Sequence, residues 1–198
     1  ARAYEYLQYN RKGVVLVICV ELCSLTFQKD DARKSNFIGT ALFGDGISAA
    51  LLIGEKSNLL NYRKSVTPKI RNVESLLIKD TINVMGWDIT NSGFEVIFSK
   101  NIPKLVETVW KQHINQFLAK QKLTLNNIDF YMAHPGGTKV LQAMERVLNE
   151  KSEAFHYSYR VLMDHGNMSS ATIFYVIKEW MLADIQAGVK SVVSALGP

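Results

Sequence analysis

The sequence predicts an α/β fold, and three observations carry that expectation. Short apolar runs alternate with stretches of helical periodicity along the whole chain. The composition, 198 residues with 47% hydrophobic and 21% charged, is that of a globular protein with enough apolar material for one sizeable core or two small ones. Apolar runs also end in glycine-bearing loops that open helices, as in YMAHPGGTKVL over 131–141.

Periodicity places a helix at about 1–9, an apolar strand at about 14–20, a polar loop through Lys34, and a segment from Phe37 to Gly46 leading into a strand at about 47–53. From Val66 to Ile78 the pattern is strand-like or irregular, and Pro68 argues against a central strand at its start. GFEVIFS, 93–99, reads as a strand. Asn101 and Pro103 open a helix to about Lys120, with Val106, Val109, Trp110, His113, Ile114 and Phe117 on one stripe. A strand at about 128–133 is followed by a helix with Val140, Leu141, Met144, Val147 and Leu148 at core spacing. A last helix, about 168–186, is apolar on most faces and so expected to lie between layers; Gly188 ends it, and 189–196 return as a strand.

The net charge of +5 is scattered, so no polybasic tract marks a nucleic-acid track. The longest apolar run, Val14 to Val20, is far below the ~20 residues that a membrane span needs. No signal-peptide layout opens the chain. If the first strand continues past Val20, the only cysteines, Cys19 and Cys23, share a face too close in sequence for an unstrained disulfide, which fits a reducing, cytoplasmic setting. The start on Ala-Arg-Ala-Tyr-Glu-Tyr-Leu, without Met or cap, and the close on Ser-Ala-Leu-Gly-Pro suggest a piece of a longer protein.

Three stretches join glycines to a side chain that a core would not ordinarily select: ALFGDG (41–46), AHPGG (133–137) and GNMSS (166–170). A histidine at the tip of an apolar strand must be desolvated and partnered, which is costly for stability and useful in a site. Taken singly, His134 reads as a structural histidine, Asn167 as a helix cap, Phe43 as core and Asp45 as a turn former. Their order along one chain favours a site. His156 and His165 have no zinc-site spacing with the cysteines, so no metal is expected.

In order and spacing, VELCSLTF, IGTALFGDG, GWDITNSGFEVIFSKNIP, AHPGG, GNMSSA and SALGP resemble the segments that run through the type III polyketide synthases, the chalcone and stilbene synthase family, and are most similar to its bacterial alkylpyrone-forming members. The resemblance implies a thiolase-like layered αβαβα fold, with residues 1–80 as the later part of its first half and 81–198 as most of its second half, short of the final strands. It further implies an acyltransferase that condenses a long-chain acyl-CoA with malonyl-CoA to a pyrone or resorcinol, working as a homodimer, with coenzyme A thioesters as substrates and no cofactor.

By motif, His134 resembles the family's catalytic histidine, Asn167 its asparagine and Phe43 its gatekeeper. Cys23, Leu25, Thr26, Gly39 and Trp87 fall at pocket positions, Trp87 where plant members carry a small residue. The family's nucleophilic cysteine lies on a Gly-Cys segment leading into the helix with which this chain begins, so it is expected outside these residues. Cys23, on an apolar strand without a neighbouring base, is not expected to replace it. Ketoacyl synthase III shares the fold and the Cys-His-Asn set, but its histidine motif normally lacks Pro-Gly-Gly, and its asparagine motif has Thr where Met168 stands. A non-catalytic piece serving assembly is the other reading.

Overall fold

A computed structural model describes residues 1–63, 67–149, 152–183 and 185–197. Helix α1 (Arg2–Tyr9) leads into β1 (Val14–Glu21), which pairs antiparallel with β2 (Gly46–Ile53), Val14 facing Ile53 and Glu21 facing Gly46. Between them lie a 3-10 turn, Cys23–Thr26, and helix α2 (Lys34–Leu42). The sequence showed only a polar loop and a glycine-rich segment there. The reason is the absence of an apolar stripe: α2 buries Asn36 and Gly39 while Phe37 and Ile38 stay exposed. It is anchored by polar contacts instead, the Asn36 carboxamide donating to the carbonyls of Gln28 and Asp31 at 2.8 Å each.

No regular element follows from 67 to 80, where the pattern is strand-like or irregular; Val66, at the start of that stretch, lies outside the described residues. The expected strand at 93–99 is β4 (Gly93–Phe98), in a hairpin with β3 (Met85–Thr90) that the weak alternation of MGWDIT did not announce. The helix expected from Pro103 runs from α3 (Ile102–Leu105) through a π turn (Val106–Trp110) into α4 (Lys111–Lys120). Val106, Trp110 and Ile114 of the stripe are buried, joined by Leu118.

β5 (Phe130–Ala133) pairs in parallel with β6 (Ser191–Ser194), with α5 (Thr138–Leu148), α6 (His156–His165) and α7 (Thr172–Leu182) between them in sequence. α6 escaped the sequence reading because its inward positions include a polar one, Ser158, which is fully buried beside Val161. The last helix is shorter than expected: residues 169–171 form a 3-10 turn, and α7 stops at Leu182. Asp184, within the expected span, lies outside the described residues.

β5 is buried on both faces, as in a parallel α/β sheet. Tyr131 and Ala133 join one core with α3, α4 and α5, while Met132 joins a second with Val161, Met168, Val176 and Trp180. Strand alternation therefore makes layers. α7 turns Thr172, Val176 and Trp180 fully inward and leaves its other apolar residues half-buried or exposed. The β1–β2 pair is covered on one face only; Leu16, Ile18, Val20, Ile47 and Leu51 lie on the open one, Ile18 59% and Ile47 64% exposed.

Candidate active site

Three loops at the ends of these elements meet at Leu42. The first follows β5. The His134 backbone N–H donates to the Ser194 carbonyl at 2.8 Å, carrying the β5–β6 ladder one residue further, and the Gly136 N–H donates back to the His134 carbonyl at 2.9 Å. The Ser158 hydroxyl, fully buried, donates to the Ala133 carbonyl at 2.7 Å. Gly137, at φ +149°, turns the chain into α5, and a Cβ built there would sit 3.7 Å from a Leu42 methyl.

The second loop precedes α7. The Asn167 N–H donates to the Leu42 carbonyl at 2.8 Å, and the Asn167 carbonyl accepts from the Gly44 N–H at 3.0 Å, a parallel bridge that straddles Phe43. Gly166, at φ +70°, permits this approach, since a Cβ would fall 2.8 Å from the Leu42 oxygen. Leu42 thus touches the histidine loop with its side chain and the asparagine loop with its backbone. The third loop, FGDG, packs under Met168, whose side chain occupies the space where a Cβ on Gly46 would lie.

Asn167 is only 4% exposed, and its Oδ1 accepts from the Ser169 N–H at 2.9 Å. That bond fixes the carboxamide and leaves the Nδ2 hydrogens as its donors. The asparagine therefore serves as a turn former and still presents an amide. His134 is half-buried, and burial pushes its imidazole down to about 4, so the ring is neutral at pH 7 with one nitrogen as donor.

Phe43 and Trp87 belong to one aromatic wall: ring centroids lie 6.2 Å apart for Phe43 and Trp87, 6.4 Å for Phe43 and Phe98, and 6.3 Å for Trp87 and Phe94. Gly39 brings α2 against β4, where a Cβ would meet Val96 at 3.3 Å and the Phe43 ring at 3.5 Å. Cys23, Leu25 and Thr26 share the 3-10 turn after β1. The expectation that Cys23 lies on the strand is corrected, because β1 ends at Glu21. The turn forms because the Asp45 carboxylate accepts from the Ser24 N–H and hydroxyl at 2.7 and 2.6 Å, contacts that also hold its carboxyl below the usual range. Leu25 is 77% exposed on this turn, while Thr26 is half-buried.

Burial pushes the Cys23 thiol up, with the carboxylates of Glu21 and Asp45 adding to the effect, so it is a poor nucleophile at neutral pH. Both cysteines are free, and among the described residues no group of three or more His, Cys, Asp or Glu could hold a metal ion. Sequence reasoning missed Leu42, Ser158 and Glu21. Ser158 carries no motif signal, and Leu42 and Glu21 enter the motifs ALFGDG and VELCSLTF without any sign of their own role. Its carboxylate accepts from the Ser170 N–H at 3.2 Å and from the Ser170 hydroxyl.

A strand buried on both faces that ends in a histidine loop, with the asparagine loop between α6 and α7 brought to the same Leu42, fits the thiolase-like α/β fold of the type III polyketide synthase structures, among them the brown-alga enzyme at TM-score 0.78 and 30% identity over 90% of this chain and 46% of that one. Residues 69–195 match the model of the C-terminal domain of chalcone and stilbene synthases, and the chain belongs to that family, the type III polyketide synthases. It is 48% identical to a putative chalcone synthase of Bacillus subtilis, over all of this chain and 54% of that protein. It is 34% identical to the 1,3,6,8-tetrahydroxynaphthalene synthase of Streptomyces peucetius, over 90% of this chain and 46% of that one. The crystal structure of the 1,3,6,8-tetrahydroxynaphthalene synthase of Streptomyces coelicolor superposes with a TM-score of 0.86 at 24% identity, over 96% of this chain and 52% of that one, a likeness of fold. The chain spans about half the length of the curated relatives it matches. No helix among the described residues is long and apolar enough to cross a membrane.

Proposed function

We propose that this chain supplies the enolate-stabilising half of an acyltransferase of the type III polyketide synthase class. In this reading the enzyme extends an acyl-CoA starter with malonyl-CoA by decarboxylative Claisen condensation. The observation that carries it is Leu42, which ties the His134 and Asn167 loops to one wall. Loss of carbon dioxide from a malonyl thioester leaves an enolate whose charge rests on the thioester oxygen. Two fixed donors suit it: an N–H of the neutral His134 ring and the Asn167 Nδ2–H, each contributing about 2.7–4 kcal/mol where oxyanion-hole magnitudes apply. Phe43 excludes water beside the carboxylate, which favours its departure. Neither metal nor redox cofactor enters this chemistry.

The nucleophile in this reading is a cysteine outside the chain, since the Cys23 thiol is held protonated and Cys19 packs against the second core. A thiolate brought beside His134 would reverse the burial effect on the ring and stabilise an imidazolium. Residues 1–80 then belong to the first thiolase-like half and 81–198 to the second, although the match to the C-terminal family model begins earlier, at residue 69. The open apolar face of β1–β2 supports further protein packing there, and the working unit is a homodimer. The bulky Trp87 within the aromatic wall favours a linear, long-chain acyl starter and an alkylpyrone or resorcinol product. The test is incubation of the enzyme carrying this chain with acyl-CoA starters of graded length and malonyl-CoA, with products read by mass spectrometry. Pyrones or resorcinols bearing the starter are expected. A hydroxynaphthalene without starter would overturn the substrate assignment, and no malonyl-derived product would overturn the reaction class.

A further inference from the structure

The Asn167 carboxamide is aimed by one hydrogen bond, from the Ser169 N–H to its Oδ1. Ser169 holds a left-handed backbone at φ +49°, a conformation that costs a non-glycine residue free energy and persists only where its neighbours impose it. The next residue supplies the constraint. Ser170 gives both its N–H and its hydroxyl to a single oxygen, Oε1 of Glu21. Glu21 is the last residue of β1, held opposite Gly46 of β2, so this oxygen is fixed by the sheet and not by a loose side chain alone.

We propose that Glu21 is a positioning residue for the condensation, clamping the Ser169-Ser170 turn so that the Asn167 amide hydrogens point at the developing enolate oxygen. The proposal rests on the reaction class given above. Glu21 makes no contact with reacting atoms in it. Its role is to accept two hydrogen bonds, which a neutral amide oxygen also does. A glutamine should therefore substitute for it and an alanine should not.

The experiment compares Glu21→Ala, Glu21→Gln and Ser170→Ala in the enzyme carrying this chain. Carbon dioxide release from malonyl-CoA is measured alongside hydrogen exchange of single amides by fragmentation mass spectrometry. The Ser169 amide is diagnostic, because Glu21 does not touch it; the amides of β5 report on general destabilisation. Glu21→Ala is expected to speed Ser169 exchange at least ~10-fold with β5 unchanged. It should lower kcat for decarboxylation about 10- to 100-fold, with KM for malonyl-CoA within about twofold. Glu21→Gln should restore both, and Ser170→Ala should lie between.

Unchanged Ser169 exchange in Glu21→Ala overturns the clamp. A Glu21→Gln variant as impaired as Glu21→Ala overturns it too, since the charge and not the hydrogen bonds would then matter. If the unsubstituted enzyme releases no carbon dioxide while the exchange results hold, the reaction class fails and the clamp stands.

Discussion

Acidification should destabilise this fold through His134 in a way that can be isolated. In the unfolded chain its imidazole takes up a proton near the ordinary 6.5, whereas in the folded protein burial delays protonation to about 4. Between those values the unfolded state binds a proton that the folded state does not, so stability falls as pH falls. It is fully present above about pH 6.5 and lost progressively down to about pH 4. The full difference corresponds to about 3 kcal/mol, of which about 2 kcal/mol is lost between about pH 7 and pH 5. The perturbation is His134→Gln, which keeps a polar group and removes the titration. The assay, made with the nucleophilic cysteine replaced by alanine so that no thiolate faces the ring, is urea unfolding followed by circular dichroism and tryptophan fluorescence at several pH values. The stability gap between the two proteins should move by about 2 kcal/mol in favour of the glutamine variant on going from about pH 7 to pH 5. Parallel losses in both proteins would refute the argument that burial holds the His134 ring neutral down to about pH 4.

Two further predictions concern the loops themselves. Gly166→Ala places a Cβ against the Leu42 carbonyl in a backbone region that alanine avoids; a loss of about 1–3 kcal/mol in urea unfolding is expected, and a change below about 0.5 kcal/mol would contradict the close packing. Ser158→Ala leaves the buried Ala133 carbonyl without its hydroxyl donor, costing about 1–3 kcal/mol by the same measurement. An unaffected Ser158→Ala protein would mean that this contact does not support the strand end.

Much of the fold could be read from pattern because several of its strands and its most amphipathic helix obey simple periods. β1, β2, β4 and the stripe of α5 fall within a residue or two of where periodicity puts them. What escaped is β3, whose alternation is weak, and the helices α2 and α6, which bury polar residues satisfied by backbone carbonyls outside their own helix, Asn36 by Gln28 and Asp31 in the preceding loop and Ser158 by Ala133 25 residues away, so neither shows a plain apolar stripe. The candidate site divides the same way. His134, Asn167 and Phe43 stand out because glycine-rich loops surround them. Leu42 and Glu21 act through long-range hydrogen bonds and packing, and an ordinary leucine and a glutamate at a strand end carry no sign of that in sequence.

The central claim is that His134 and Asn167 together stabilise a malonyl-derived enolate, and release of labelled carbon dioxide from malonyl-CoA tests it without requiring a starter or a finished product. In the enzyme carrying this chain, His134→Ala and Asn167→Ala should each reduce that release about 100- to 1000-fold while the fold is kept. Near-normal release from both variants would contradict the account.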